Sequence, residues 1–316
     1  AIEYYTRERH ELFERSRMYA IVCPGQGSQK KGFLTPWLEI VGVREHLERL
    51  SQAAELDLIH YGTEAEEEAI KDTAIAQPLI VAAGIVTGRL TLARLGTENL
   101  LFAGHSVGEI TAAALSGILS DEDAMRFIRV RATGMAQAAT ASPTGMAAVL
   151  GGDEEEVREA IKAAQLVAAN SNGGVQIVAA GALDALEKFT ENPPARTRVI
   201  PLKVAGAFHT EAMAPAVEPL KKFADTITVE DPKHKILSNR DGSVVATGQE
   251  FLDSLVKQVT NPVRWDLCMA QMLQDEVTDI IEVTPAGTLV GLAKRAMRGV
   301  PFTAVNAPED LEKFGV

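Results

Sequence analysis

The chain has 316 residues, which corresponds to about two domains at about 150 residues per domain. Hydrophobic residues make up 46% and charged residues 23%, so the chain can bury a core without disulfides or a structural metal. With 31 basic and 43 acidic residues the net charge is −12, which excludes a general nucleic-acid binder that needs a basic face against phosphates. The two cysteines, Cys23 and Cys268, provide no disulfide framework and fit a reducing compartment, so we expect a cytoplasmic protein.

We expect neither a membrane span nor a secretion signal. The longest apolar run covers residues 78–86 and is shorter than the about 20 residues that a membrane helix needs. Residues 1–17 carry scattered charges where a secretion signal has an apolar segment. We interpret residues 1–17 as an N-terminal extension of uncertain role, with Met18 as a candidate original start.

Short apolar strands alternate with helices in the first part of the chain. Apolar runs at residues 19–23 and 100–103 predict two buried strands, and the first ends in a turn at Pro24 and Gly25. Helices are predicted over residues 43–54, 76–95, 110–119 and 122–139. This alternation favours an α/β fold with a parallel sheet.

The middle of the chain predicts a different unit. Strands are expected at residues 146–150, 166–169, 175–180 and 198–204, with helices at 154–164, led by Asp153 as N-cap, and at 183–189. The order β-α-β-β-α-β is typical of ferredoxin-like modules. We therefore expect a small ferredoxin-like subdomain over residues 142–205, inserted into a larger domain of residues 18–141 and 206–316.

The sharpest motif is G-H-S-V-G at residues 104–108, which fits the G-x-S-x-G nucleophile elbow. An apolar strand precedes it and a helix follows it, as the elbow requires. Its glycines remove side chains that would clash in the turn, and they leave the Ser106 hydroxyl exposed at a helix N-terminus. We interpret Ser106 as a catalytic nucleophile. A tight turn with a structural serine is the alternative.

A serine hydroxyl needs a general base, and the chain has six histidines. His209 follows a strand and a loop of small residues, where functional sites commonly form, so it is favoured over His234, which lies among charged residues. His105 is adjacent to the nucleophile, but the turn directs it elsewhere, so we expect a structural hydrogen-bonding role.

A second loop, P-G-Q-G-S-Q at residues 24–29, follows the first strand and lacks the phosphate-binding glycine patterns. Its glycines allow a backbone amide to approach a ligand closely. Gln26 is therefore a candidate second oxyanion donor. A plain tight turn is the alternative.

Four segments occur in order along the chain: P-G-Q-G-S-Q at 24–29, G-H-S-V-G-E at 104–109, G-A-F-H at 206–209 and N-P-V-R-W at 261–265. Together they resemble the acyltransferase family of fatty-acid and polyketide synthases, which includes malonyl-CoA:acyl-carrier-protein transacylases, over about residues 19–305. The resemblance implies an α/β-hydrolase-like large domain. It also implies malonyl transfer from malonyl-CoA to the phosphopantetheine thiol of an acyl carrier protein through a malonyl-serine intermediate. It implies no bound cofactor or metal, a transient carrier contact and a monomer.

The resemblance also implies the roles of individual residues. Ser106 is acylated, and His209 acts as base and then as acid. The backbone carbonyl of Gln258 orients the histidine in place of a carboxylate, and the amides of Gln26 and Val107 form the oxyanion hole.

The same resemblance assigns the substrate-binding residues. Arg131 holds the malonyl carboxylate, which a planar guanidinium can bind with two parallel hydrogen bonds. Phe208 goes with malonyl, because its ring would crowd an α-methyl branch. Asn172 and His105 complete the set. The family often has Asn-x-Asn followed by Pro-Gly-Gln, whereas Asn172 lies here in N-S-N-G-G-V-Q, and Ala207 stands where proline is usual.

Acyl carrier proteins are acidic, so docking on this acidic chain requires a local basic patch. Lys294, Arg295 and Arg298 on a late helix are the candidates, and a solvated helix end is the alternative.

Three rival functions remain open at this point. They are a serine esterase, which would need an HGGG-type loop that the chain lacks; a patatin-like acylhydrolase, for which Asp241 in D-G-S is a near match; and a non-catalytic scaffold.

Overall fold

A computed structural model describes residues 17–96 and 98–315, so the predicted extension lies outside the described residues except for Arg17. The strands of the described part are β1 (Tyr19–Cys23), β2 (Leu100–Gly104), β3 (Thr144–Gly151), β4 (Val167–Gly173), β5 (Gln176–Ala182), β6 (Thr197–Pro201), β7 (Lys235–Ile236), β8 (Val263–Arg264), β9 (Asp279–Glu282) and β10 (Phe302–Ala304).

The α-helices of the same residues are α1 (Val43–Ala54), α2 (Leu58–Thr63), α3 (Thr73–Leu95), α4 (Gly108–Leu115), α5 (Asp121–Thr140), α6 (Glu154–Ala163), α7 (Leu183–Glu191), α8 (Val217–Ala224), α9 (Gly248–Gln258), α10 (Trp265–Gln274) and α11 (Thr288–Ala296). Short 3₁₀ helices cover Thr35–Glu39, Ala69–Lys71, Glu211–Ala216 and Pro308–Lys313.

The first sheet is parallel throughout and has the strand order β10-β9-β1-β2-β7. Along β1, Ile21 and Cys23 pack into one apolar layer and Ala20 and Val22 into the other, because successive strand side chains point to opposite faces. A parallel sheet buried on both faces is the arrangement of α/β proteins. The predicted α/β fold with a parallel sheet is therefore confirmed.

The second sheet has the order β6-β3-β5-β4-β8. Its first four strands pair antiparallel, and β8 from the C-terminal part of the chain adds a parallel edge to β4. Helices α6 and α7 pack their apolar sides on this sheet in a separate core that includes Val149, Ile161 and Phe189. The Asp153 carboxylate accepts the backbone N–H of Glu156 at 3.0 Å, which confirms the predicted N-cap.

Strand β4 is longer than predicted. It continues to Gly173, although a turn over residues 170–174 is expected from the sequence. Gly173 still pairs with Gln176, so only Gly174 and Val175 lie between the paired residues, and all of residues 173–175 have left-handed φ values, of 75°, 55° and 61°. The extension places Asn172 within hydrogen-bonding distance of His105, which directly follows β2.

Helix α3 corrects the expectation that no segment is long and apolar enough to span a membrane. Its 23 residues include a stretch with a mean hydropathy of 1.5, which passes that test by length and composition. The apolar run of residues 78–86 is only part of this helix, which continues through Thr87, Gly88 and Thr91. However, 78% of this stretch is buried inside the protein, so α3 is a core helix.

Candidate active site

The nucleophile elbow lies between β2 and α4. Ser106 adopts a left-handed backbone conformation with φ of 53°, as a sharp strand-to-helix turn demands. A Cβ atom on Gly104 would lie 2.0 Å from the carbonyl carbon of Gly108, and one on Gly108 would lie 2.1 Å from the carbonyl oxygen of Cys23. Both motif glycines are therefore sterically required.

Ser106 and His209 form a hydrogen-bonded pair, although 103 residues separate them in sequence. The Ser106 Oγ lies 2.8 Å from His209 Nε2, and His209 Nδ1 lies 2.9 Å from the Gln258 carbonyl oxygen. A carbonyl only accepts, so Nδ1 carries the proton and Nε2 is free to accept the serine proton. This is the geometry of an activated serine.

His209 is 3% exposed, and its charge state follows from that burial. Desolvation first, and then the nearby positive charge of Arg131, lower its pKa to about 3. The imidazole is therefore neutral at physiological pH and available as a base.

The residue that orients His209 is a backbone carbonyl. Within residues 17–96 and 98–315, no carboxylate hydrogen-bonds to this histidine. Asp241, the residue that the patatin-like alternative requires, binds Ser243 in an exposed turn. The structure thus brings His209 to Ser106, and not Asp241.

The two predicted oxyanion donors lie on adjacent loops. β1 and β2 are in register at Cys23 and Gly104, so Gln26 and Val107 each follow a neighbouring strand end by three residues. Neither amide donates a hydrogen bond to any described part of the chain. The Ser106 amide, in contrast, is taken by Asn239 Oδ1 at 2.8 Å.

Arg131 is fully buried on α5, whereas Arg126 and Arg129 on the same helix are about half exposed and ion-paired. Its two terminal nitrogens donate to the side-chain oxygens of Gln77 at 2.7 Å and Gln258 at 2.9 Å, and its Nε has no partner. Among the described residues, no carboxylate lies within 4.0 Å of this guanidinium. Burial lowers its pKa to about 10, so it stays charged at neutral pH.

The remaining predicted substrate residues lie around this pair. Asn172 Oδ1 is 2.7 Å from His105 Nε2, and the His105 ring contacts Trp265 with ring centroids 5.8 Å apart. Burial lowers the pKa of His105, which favours a neutral hydrogen-bonding residue. Phe208 is 7% exposed, with its ring in the main core.

Sequence reasoning missed the polar residues beneath the elbow, namely Glu109, Asn239 and Gln77, together with the side chain of Gln258. Glu109 carried a usable signal, because it is the one charged residue of helix α4, whose other residues are apolar except for Thr111. Asn239 and Gln77 carried none. Among the described residues, no group of three or more His, Cys, Asp or Glu side chains is placed to hold a metal ion.

The chain matches the family described as acyl transferase domain over residues 20–308 and belongs to that family. Within it, the chain is 50% identical to the malonyl CoA-acyl carrier protein transacylase of Mycobacterium tuberculosis, with 94% of this chain and 99% of the relative covered. It is 31% identical to the Escherichia coli enzyme of the same name, with 92% and 96% covered.

Solved structures agree with these similarities. The crystal structure of MCAT from Mycobacterium tuberculosis matches with a TM-score of 0.90, covering 94% of this chain and 99% of that one at 50% identity. A malonyl-transacylase in complex with a type II PKS acyl-carrier protein matches with a TM-score of 0.88 at 28% identity, covering 94% and 98%.

Proposed function

We propose that the chain transfers the malonyl group from malonyl-CoA to the phosphopantetheine thiol of an acyl carrier protein. The product supplies extender units for fatty-acid or polyketide synthesis. The observation that carries this proposal is the hydrogen-bonded chain from Ser106 through His209 to the Gln258 carbonyl, linked through Gln258 to a buried Arg131.

In the first half-reaction, His209 Nε2 takes the Ser106 hydroxyl proton while the Ser106 Oγ attacks the thioester carbonyl. The amides of Gln26 and Val107 stabilise the tetrahedral oxyanion. The carbon–sulfur bond then breaks, and the coenzyme A thiol leaves with the proton from His209. A malonyl-Ser106 ester remains.

In the second half-reaction, the carrier thiol gives its proton to His209 and attacks the ester carbonyl. The Ser106 oxygen leaves and recovers that proton, so the enzyme is regenerated. No resident cofactor is needed, because malonyl-CoA is a substrate and the carrier brings the phosphopantetheine.

Arg131 selects the acyl group. Its present acceptors are two neutral amide oxygens, Gln77 Oε1 and Gln258 Oε1, and its Nε has none. A malonyl carboxylate offers two charged oxygens in a geometry that matches the guanidinium fork, so it can replace these acceptors. An acetyl group offers no such exchange. Phe208, Asn172 and His105 would shape the rest of the pocket.

The carrier would dock at α11. Lys294 and Arg295 are exposed on α11, and Arg298 is exposed two residues beyond its end rather than on the helix as expected from the sequence. None of the three has an ion-pair partner among the described residues. A Cβ on Gly174 would lie 3.3 Å from the Arg295 Cβ, and Asn172 two residues earlier contacts His105 beside the nucleophile. The basic patch therefore lies near the site that the carrier thiol must reach.

The finer organisation is part of the same proposal. We assign residues 18–141 and 206–316 to an α/β-hydrolase-like domain and residues 142–205 to a ferredoxin-like subdomain, supported by the strand order β6-β3-β5-β4 and its antiparallel pairing. We propose a monomer in the cytoplasm.

The test is transfer to a purified acyl carrier protein. With malonyl-CoA, we expect malonylated holo-carrier and no product on apo-carrier, which lacks the thiol. Acetyl-CoA should transfer far more slowly. Hydrolysis of simple nitrophenyl esters without transfer to the holo-carrier would reject the proposal in favour of an esterase.

A further inference from the structure

Glu109 is a buried carboxylate to which the proposed reaction assigns no role. It is 1% exposed and lies on α4, three residues after the nucleophile. Its Oε2 accepts the backbone N–H of Asn239 at 2.8 Å, and its Oε1 accepts the side-chain N–H of Gln258. Each carboxylate oxygen therefore fixes one further polar residue.

The Asn239 branch reaches the nucleophile elbow. Asn239 Oδ1 accepts the Ser106 backbone N–H at 2.8 Å, and Asn239 Nδ2 donates to the Gly104 carbonyl at 2.6 Å. The side-chain amide of Asn239 thus holds the strained turn at both Gly104 and Ser106. The backbone of Asn239 is itself held by Glu109.

The Gln258 branch reaches the base and the arginine. The main-chain oxygen of Gln258 orients His209, and its side-chain Oε1 accepts from Arg131 at 2.9 Å. An amide group has one donor end and one acceptor end. Because Glu109 accepts from the Nε2 end, the Oε1 end must face the guanidinium.

We propose that Glu109 is a positioning residue that aligns Ser106, His209 and Arg131 through Asn239 and Gln258. This inference rests on the proposed function in one respect, the identity of the carboxylate that Arg131 binds. The alignment of Ser106 with His209 does not depend on the identity of the acyl group.

Both Glu109 oxygens act as acceptors, and the ionised carboxylate, which only accepts, makes both of these hydrogen bonds most strongly. Burial raises the pKa of this group to about 8, against the hydrogen bonds from Asn239 and Gln258 and the positive charges of Arg131 and Arg240. Glu109 also lines a cavity of about 310 Å³ that brings two further cations to this side of the site, Lys257 and Arg264. Two further titratable groups on this side of the site, His209 and the Cys268 thiol, are neutral near pH 8, because burial lowers the pKa of His209 to about 3 and raises that of Cys268.

The experiment measures how fast Ser106 reacts with a fluorophosphonate, a probe that requires the serine and its base but no malonyl group. Wild type is compared from pH 6 to 10 with Glu109→Gln, whose side chain has one acceptor oxygen in place of two. The matched control is Asp121→Asn, which removes a hydrogen-bonded carboxylate on α5 that contacts His46 and Arg89.

We expect the wild-type rate to rise near pH 8, where Glu109 ionises. Glu109→Gln should react at least tenfold more slowly, show no such rise and keep native circular dichroism. Asp121→Asn should react as the wild type does. A Glu109→Gln rate within twofold of wild type, or an unchanged rise near pH 8, would overturn the proposal. So would a wild type that does not react.

If Glu109→Gln does not fold, the wild-type profile decides. A flat profile overturns the proposal, and a rise near pH 8 supports it. A wild type that reacts with the probe but does not form malonyl-carrier would reject the proposed function while leaving this test valid.

Discussion

Two buried glutamates, one beneath the elbow and one at the end of β9, differ in what they hold. Glu282 accepts three backbone N–H groups, from Gly287, Leu289 and Val290, at the start of α11. Glu109 accepts one backbone N–H and one side-chain amide. Burial raises the pKa of Glu282 to about 6 and that of Glu109 to about 8. The three amides of a helix N-terminus favour the charged form more strongly.

The difference shows that burial alone does not define a role. Glu282 holds only backbone, so it fixes where α11 begins and serves stability. Glu109 binds the backbone of Asn239 and the side chain of Gln258, two residues that contact Ser106, His209 and Arg131, so it serves the chemistry. The loop of residues 24–29 contacts α11, because the Ser28 hydroxyl lies 2.7 Å from the Thr288 hydroxyl.

The largest effect on the reaction rate should come from replacing His209, the partner of the elbow serine. His209→Ala removes the only group hydrogen-bonded to the Ser106 hydroxyl among the described residues, so acylation should slow by at least about 10³-fold. The measurement is the rate of coenzyme A release from malonyl-CoA. His234→Ala is the matched control and should stay near wild type. Equal losses in both variants would contradict the assigned base.

Replacing Arg131 tests whether the residues linked to the elbow through Gln258 also select the substrate. Arg131→Ala should lower kcat/KM for malonyl-CoA about 100-fold, because a charge-assisted hydrogen bond contributes about 1.5–3 kcal/mol. The rate with acetyl-CoA should change little, so the ratio of the two kcat/KM values is the readout. The Arg129 side chain on the same helix is exposed, so Arg129→Ala should leave the ratio unchanged. A parallel fall for both thioesters would exclude carboxylate recognition by Arg131.

Glu282 should affect stability, and the sign of its pH dependence follows from its raised pKa. The folded state holds this proton more tightly than the unfolded state between pH 4.5 and about 6. The free energy of unfolding therefore falls as pH rises through this window, by about 2 kcal/mol for this group at about 1.4 kcal/mol per pKa unit.

Glu282→Gln should remove that part of the slope, which urea denaturation at pH 4.5 and 7 can measure as the difference from wild type. Glu109 contributes a slope of the same sign in both proteins, so it cancels in this difference. Identical slopes in wild type and variant would show that Glu282 does not titrate in this window.

The smallest effect should come from the surface of α11. Replacing Lys294 and Arg295 by Glu should raise KM for the acyl carrier protein about tenfold through like-charge repulsion, and added salt should reduce the difference. KM for malonyl-CoA should stay unchanged. Lys221→Glu on α8 serves as the control. A matching rise of KM in the control would indicate only a general charge effect.

The sequence predicted the local features well. Helix α1 has the predicted bounds, and the elbow at Ser106 lies between the predicted strand and helix, because adjacent residues determine both patterns. Arg131 was identified only through family resemblance, since its neighbours on α5 look like a solvated face. The network around Glu109 could not be predicted, because Asn239 and Gln258 lie 130 and 149 residues away and meet it only in the folded chain.

The most direct test of the central claim is the intact mass of the protein after brief mixing with malonyl-CoA. We expect a gain equal to one malonyl group in wild type, no gain in Ser106→Ala, and a much weaker gain with acetyl-CoA. A malonyl gain that persists in Ser106→Ala, or no gain from any thioester, would contradict a malonyl-Ser106 intermediate.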